Sequence, residues 1–293
     1  MQTLTEIRRL LAAASLKPRK RFGQSFLIDG NLMGKLLELA GPVDGRTVLE
    51  VGPGTGSLTE ELLDRGARVV AVEIDRGLCQ LLRRRLGGRD RFTLIAGDVL
   101  AGKHEISPAV VEAVGPTPHL VSNLPYSIAT PLLAECLLLS WRSLAGRGDC
   151  LVQQLTFTVQ QEVADRLTAA PGSGAYGPVS VLAGLLATVH VGPAVPAPAF
   201  YPPPRVGSRI LRMDFRPDRA VQLTGGDALM ATLSLAFGQR RKQIRSILRR
   251  KEAPFPSDAL ARALATAHVE PTCRAEQVTP EQYLVMANAL GSA

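Results

Sequence analysis

The sequence predicts an α/β fold: a Rossmann-like, mainly parallel sheet covered by helices, followed by a smaller all-helical C-terminal domain. Three observations carry this. Short apolar runs alternate with helix-period segments through the first 190 residues or so, the pattern of a parallel sheet covered on both faces. The runs end in glycine, carboxylate or amide rather than in tight hairpin turns. From roughly residue 218 onward the periodicity is purely helical.

The elements follow in order. In MQTLTEIRRLLAAAS, Leu4, Ile7 and Leu11 fall at helical spacing, so an amphipathic helix is expected; the apolar stretch is too brief for a leader. KPRKRFGQSFLIDG, residues 17–30, is basic and carries Pro18 and Gly23, which marks a loop or arm before a helix near 31–41. TVLEVGPG, RVVAVEID, RFTLIAGD, HLVSNLP and CLVQQLTFTV read as five strands, with helices at SLTEELLDRG, GLCQLLRRRLG and TPLLAECLLLSW. VHVGPAVPAPAFYPPPRVGSRILRMDF reads as two strands joined by a proline-rich loop, an antiparallel hairpin closing the sheet edge. The helices DALMATLSLAFGQRRKQIRSILRRK, SDALARALATA and TPEQYLVMANAL start at Asp227, Ser257 and Thr279 with Pro280. The expected organisation is a basic helix and arm over 1–30, the sheet domain over 31–217 and a helical domain over 218–293.

The 293 residues, 46% of them hydrophobic, suffice for a large core. A net charge of +8 favours an anionic partner, nucleic acid first among them, although many soluble basic proteins share it. Cys79, Cys136, Cys150 and Cys273 form no C-x-x-C pair and histidines number four, so neither a metal centre nor a disulfide framework is expected. This fits a reducing cytoplasm. No apolar run is long enough to span a membrane.

Ligands of parallel sheets bind beyond the carboxyl ends of the strands. The first strand ends EVGPGTG, with Glu50, Gly52, Gly54 and Gly56. Glycines let backbone turn tightly and approach a ligand; an unliganded strand-to-helix turn is the bland alternative. Ser57 stands where the dinucleotide fingerprint needs glycine, and no Gly-Lys pair follows Gly52, so neither phosphate loop is present. E-x-G-x-G-x-G is instead the spacing of S-adenosylmethionine-dependent methyltransferases, where the turn passes under the amino-acid end of the cofactor. The second strand ends at Glu73, about 20 residues on, where a carboxylate can accept both ribose hydroxyl protons. Asp75 remains to cap the next helix. The third ends at Asp98, a candidate acceptor for the adenine amine, with a helix cap as its alternative.

The fourth strand ends NLPY. An exocyclic amine is a poor nucleophile because its lone pair is delocalised into the ring, so a site must accept its N–H bonds and hold it in line. The Asn123 side-chain carbonyl is one acceptor. The Leu124 backbone carbonyl, held by Pro125, is a second. Tyr126 can stack on a displaced base. The bland alternative is an ordinary turn with an aromatic lid.

These motifs resemble the small-subunit (16S) ribosomal RNA adenine N6,N6-dimethyltransferase family over nearly the whole chain. The likeness runs through RFGQSFL, LEVGPGTGSLT, VEID, GD and NLPYSIAT, and continues in VQQEVADRLTAAPGSGAYGPVSVL, AFYPPPRVGS and AFGQRRKQIRSIL. It implies methylation of N6 on two adjacent adenosines in the 3'-terminal hairpin loop of small-subunit rRNA, using S-adenosylmethionine. It places Gln24, Ser25, Leu27, Gly52, Gly54, Glu73, Asp98 and Asn123 at cofactor positions. Asn123, Leu124, Pro125, Tyr126 and Phe200 fall at acceptor positions, with Phe200 stacking opposite Tyr126. Ser25, Gly207 and Gly238 depart from the asparagine, aspartate and asparagine usual there.

Seven of the twelve residues from Arg240 to Lys251 are cationic. On one helix Arg241, Arg245 and Arg249 would share a face suited to phosphates. Lys20 and Arg21 belong to a second basic patch, whereas RRRL at 83–86 is expected to be a solvated face. The expected partner is small-subunit rRNA, within a pre-30S particle, bound by a monomer. The rival readings are a small-molecule or protein methyltransferase, a large-subunit adenine methyltransferase of the macrolide-resistance type, and a mainly non-catalytic assembly factor.

Overall fold

Helix α1 (Leu4–Ala13) opens on a capping box: the Thr3 hydroxyl accepts from the Glu6 amide and the Glu6 carboxylate accepts from the Thr3 amide. After it come β1 (Phe26–Leu27), α2 (Gly30–Ala40), β2 (Thr47–Val51), α3 (Ser57–Asp64), β3 (Arg68–Glu73), α4 (Arg76–Leu86) and β4 (Phe92–Ala96). Next are α5 (Pro108–Val114), β5 (His119–Asn123), α6 (Ala129–Leu144), β6 (Gln154–Gln160), α7 (Gln161–Leu167) and α8 (Pro178–Leu186). The chain continues through β7 (Ala187–Val195), β8 (Phe200–Tyr201), β9 (Ser208–Phe215), α9 (Pro217–Ala220), α10 (Gly226–Phe237), α11 (Ser257–Thr266) and α12 (Pro280–Gly291). This computed structural model describes residues 1–19, 22–102, 105–249 and 253–291.

Seven strands form one sheet in the order β4-β3-β2-β5-β6-β9-β7. The first five are parallel, and β9 runs antiparallel to β6. β2 and β3 are buried on both faces and mostly apolar, because helices cover both sides. The strand order reverses between β2 and β5, which opens a crevice at their carboxyl ends. The proline-rich connection between β7 and β9 holds a strand that periodicity could not show: β8 pairs antiparallel with β1, Phe26 opposite Tyr201 and Leu27 opposite Phe200.

Two units emerge. One comprises Met1–Ser140, Asp149–Ala164 and Val189–Asp214; the other comprises Trp141–Gly148, Asp165–Thr188 and the chain from Phe215 onward. The helical unit thus takes in α8, which the contiguous division expected from the sequence left with the sheet. Its centre holds Tyr176, whose hydroxyl donates to the Val278 carbonyl, and Tyr283, whose hydroxyl donates to the Ala275 carbonyl.

The long basic helix expected over DALMATLSLAFGQRRKQIRSILRRK is not continuous. α10 stops at Phe237 with Gly238 as its cap, Gln239–Arg241 form a turn, and Ile244–Arg249 form a 3-10 helix. With three residues per turn, positions 245 and 249 no longer align. The single cationic face of Arg241, Arg245 and Arg249 is therefore corrected to an exposed basic turn at Arg241 followed by a short helix carrying exposed Arg245.

Candidate active site

The turn after β2 is built from glycines that nothing larger could replace. Gly52 and Gly54 have φ of +72° and +61°, in the left-handed region. A Cβ on Gly52 would lie 2.7 Å from Cγ of Pro125, and one on Gly54 would lie 2.7 Å from Cε1 of Phe26. The turn is thus pressed between the NLPY segment and β1. It is also held from behind. The Gln2 side chain donates to the Thr55 carbonyl at 3.2 Å and accepts from the Thr55 hydroxyl at 2.7 Å. The Arg85 guanidinium donates to that carbonyl and to the Glu60 carboxylate. The expectation of a solvated face at 83–86 is corrected for this residue: Arg83 and Arg84 are exposed, but Arg85 clamps the turn.

Glu50 is 2% exposed and accepts from the Thr59 hydroxyl at 2.6 Å. Burial pushes its carboxyl up to about 8, Thr59 opposes the shift, and nearby Glu73 adds to it. Glu73 accepts from the amides of Asp75 at 2.8 Å and Gly54 at 3.3 Å. Burial pushes it to about 7 in spite of those bonds. Asp75 caps α4 through the Gly77 amide and accepts from the Gln24 side chain at 3.2 Å, with the Arg19 guanidinium 3.5 Å away. Asp98 is exposed and accepts from the Leu100 amide at 3.0 Å, so it closes its own turn while facing the cavity.

At the end of β5 the Asn123 amide nitrogen donates to the Ser25 carbonyl at 2.9 Å. Its Oδ1 is buried and has no hydrogen-bond partner among the described residues. Such a group costs free energy unless something pairs it. The Tyr126 hydroxyl shares a hydrogen bond with Ser208 at 2.8 Å, and burial raises its pKa. Apart from Phe200, every cofactor and acceptor position expected from the sequence lines one cavity of about 330 Å³. Ile7 and Ile74 also line it, and sequence reasoning missed both. Ile7 reads in the sequence only as the apolar stripe of a helix. Ile74 shows its role only in the structure, where it is 46% exposed between two buried carboxylates and offers an apolar ligand face.

Phe200 is corrected. It is 2% exposed and packs with Leu27, Met33 and Val121 in the core. Opposite Leu27 in a two-residue strand it must face inward, and Tyr201 takes the other side, under the Arg8 guanidinium. Of the basic positions, Lys20 and Arg21 lie outside the described residues, as does the side chain of Arg249.

The donor set suits S-adenosylmethionine on two structural grounds. The glycine cradle leaves no room for a Cβ, and Asn123, which lines the cavity, carries a buried amide oxygen with no partner among the described residues. Fold and cavity define the class as S-adenosylmethionine-dependent methyltransferase. A family model described as Ribosomal RNA adenine dimethylase matches residues 15–291, and the chain belongs to that family of rRNA-modifying enzymes. It is 40% identical over 294 aligned positions to the ribosomal RNA small subunit methyltransferase A of Phenylobacterium zucineum, covering 99% of this chain and 94% of that protein. The protein of the same name from Moorella thermoacetica is 36% identical over 96% of this chain and 95% of its own length. Among solved structures, the 23S rRNA methyltransferase ErmE is 26% identical with a TM-score of 0.61, covering 90% of this chain and 99% of that one. A dimethyladenosine transferase from Plasmodium falciparum shares the fold, with a TM-score of 0.68 over 89% of this chain and 95% of that one, at 21% identity.

Proposed function

We propose that this enzyme dimethylates N6 of two adjacent adenosines in the 3'-terminal hairpin loop of small-subunit rRNA, acting in ribosome biogenesis. The observation that carries the reading is the buried Oδ1 of Asn123, unpaired among the described residues, on a residue that lines the same cavity as the glycine turn. The small-subunit name of relatives that match nearly end to end supports the choice of RNA. When bound, S-adenosylmethionine supplies an electrophilic methyl on its sulfonium. Gly52 and Gly54 would bring backbone close to its amino-acid end, and Gln24 and Leu27 would help to hold it, with Ser25 contributing only backbone, because its hydroxyl is committed to the Pro202 carbonyl. Glu73 would accept from the ribose hydroxyls and Asp98 from the adenine amine.

Asn123 Oδ1 and the Leu124 carbonyl accept the two N–H bonds of the acceptor amine. That leaves its lone pair directed at the methyl. No strong general base is needed, since the alkylated amine sheds its proton readily. Tyr126, its hydroxyl already committed to Ser208, offers its ring to the extruded base. The basic arm with Lys20 and Arg21, and Arg241, Arg245 and Arg249, bind phosphate. The enzyme acts as a monomer on a pre-30S particle, in the cytoplasm. No helix among the described residues is long and apolar enough to cross a membrane.

The test is incubation of unmodified small ribosomal subunits, and separately large subunits, with enzyme and labelled S-adenosylmethionine, followed by nucleoside analysis. Label in N6,N6-dimethyladenosine of small-subunit rRNA is expected. Label confined to large-subunit rRNA would move the enzyme to the other branch, and absence of label would leave an assembly factor.

A further inference from the structure

Two hydroxyls beside the cavity are unclaimed by the chemistry above, and both tie the acceptor segment to the proline-rich connection. The Ser25 hydroxyl donates to the Pro202 carbonyl at 3.0 Å, and the Ser25 carbonyl accepts from the Asn123 amide nitrogen at 2.9 Å. Six residues beyond Pro202, the Ser208 hydroxyl meets the Tyr126 hydroxyl at 2.8 Å. The frame these bonds reach is itself fixed. Tyr201 is paired with Phe26 across the small sheet, and Ser208 is paired with Gln160 in the β6–β9 ladder. Between the two anchors Pro202, Pro203 and Pro204 restrict the backbone.

An amide side chain is nearly symmetric in shape, so Asn123 can present either oxygen or nitrogen to the cavity with little change in packing. Only the bond to the Ser25 carbonyl decides. It engages nitrogen and leaves oxygen for the amine. The Ser25 peptide is in turn held in that orientation by its own hydroxyl on Pro202. Tyr126 is similar: its hydroxyl lies on the long axis of the ring, so a bond there leaves rotation about that axis free but holds the axis, and with it the place of the ring, in one direction.

We propose that Ser25 and Ser208 are positioning residues for methyl transfer, Ser25 setting the orientation of the Asn123 amide and Ser208 setting the direction in which the Tyr126 ring points. The proposal rests on the acceptor roles given above to Asn123 and Tyr126. It assigns a task to a serine that stands where asparagine is usual, and that task lies on the acceptor side of the cavity.

The test uses the full chain with Ser25→Ala, Ser25→Thr, Ser208→Ala, Tyr126→Phe and the Ser208→Ala/Tyr126→Phe double variant. Three quantities are measured: kcat and KM on unmodified small subunits, S-adenosylmethionine Kd by calorimetry, and amide hydrogen exchange over 23–27 and, beyond the prolines, 205–208. Misplaced reacting groups cost rate rather than ground-state affinity, so Ser25→Ala and Ser208→Ala are each expected to lower kcat about tenfold with Kd within about twofold. Ser25→Thr keeps the hydroxyl and restores kcat. The Ser208→Ala/Tyr126→Phe double variant falls no further than either single, because both remove the same bond. Exchange over 23–27 and 205–208 rises in Ser25→Ala. Unchanged kcat in both alanine variants would overturn the proposal. So would a matching rise in Kd, or failure of Ser25→Thr to rescue, since either marks a merely structural effect. If wild-type enzyme does not label small-subunit RNA, the assignment of function fails, while exchange still decides whether Ser25 holds Pro202.

Discussion

The Thr59 hydroxyl meets Oε2 of Glu50 at 2.6 Å, behind the glycine turn, at a carboxyl that water does not reach. Burial raises Glu50 to about 8 and Glu73 to about 7, both from an ordinary value of 4.5. Between pH 4.5 and 8 the folded state therefore binds more protons than the unfolded chain. Stability is fully present below about 4.5 and is lost as pH rises through 7 and 8. The loss at Glu50 is on the order of a few kcal/mol. Glu50→Gln stays neutral and keeps an acceptor for Thr59, so its Tm, measured from pH 5.5 to 8.5, should fall less with pH than that of wild type. Parallel Tm curves for the two proteins would refute the assignment.

Glu73 gives cofactor binding its own pH dependence. An acceptor of ribose hydroxyls works best ionised, yet the free enzyme holds this group near half-protonated at neutrality. Binding of S-adenosylmethionine should release a fraction of a proton at pH 7, and Kd should tighten from pH 6 to 8. Calorimetry in two buffers of different ionisation enthalpy measures the release directly. Glu73→Gln should bind more weakly and show no such release.

The glycines of the turn should separate by where a methyl would go. At Gly52 the added carbon meets Pro125 within the cavity, whereas at Gly56 (φ +87°) it meets Leu82 at 3.0 Å, outside it. Each alanine costs about 1–2 kcal/mol for the left-handed backbone alone. Only Gly52→Ala should also weaken S-adenosylmethionine binding in the fraction that remains folded. Equal Kd values for the two variants would show that the Gly52–Pro125 packing has no bearing on the cofactor.

The contrast between Glu73 and Arg85 shows what a sequence can reveal here. Glu73 was legible because buried strands print as apolar runs, and the residue that ends such a run sits at the crevice of a parallel sheet. Asn123 was legible for the same reason. Arg85 and Gln2 were not, because each serves the backbone of Thr55, 30 and 53 residues away, and a carbonyl leaves no trace in side-chain patterning. Phe200 was misjudged because a two-residue strand has no periodicity to show which way a ring points. In the basic stretch after Gly238, charge density was plain, but three and 3.6 residues per turn cannot be told apart over six residues.

That basic stretch still carries a measurable expectation. Arg241, Lys242 and Arg245 are exposed, and each phosphate deprived of its cationic partner should flatten the dependence of log K on log salt by about 0.7 for single strands to 0.9 for duplex. Neutralising Arg241 and Arg245 to glutamine should weaken RNA binding and lower the slope by roughly 1.4 to 1.8, without altering S-adenosylmethionine affinity. A filter-binding series between low and moderate salt reads this slope. An unchanged slope would place the RNA elsewhere.

Asn123→Ala isolates the chemical step from binding. The Asn123 side chain is tied to the protein through its nitrogen, on Ser25, so its removal leaves the glycine turn and Glu73 in place. What disappears is a buried oxygen, on a residue that lines the cavity, that no described residue pairs. A group that pairs only when the acceptor amine arrives contributes little to holding the fold and much to aligning the amine. Removal of one such positioned polar group costs about 10²–10³ in kcat in other enzymes. Methylation by Asn123→Ala should fall by at least that factor, with S-adenosylmethionine Kd and binding to unmodified small subunits largely preserved. Asn123→Asp should fall between the two, since it restores an acceptor but turns a carboxylate oxygen toward the Ser25 carbonyl in place of the N–H donor. If particle binding collapses together with activity in Asn123→Ala, the division between a basic surface that binds RNA and an amide that orients the amine is wrong.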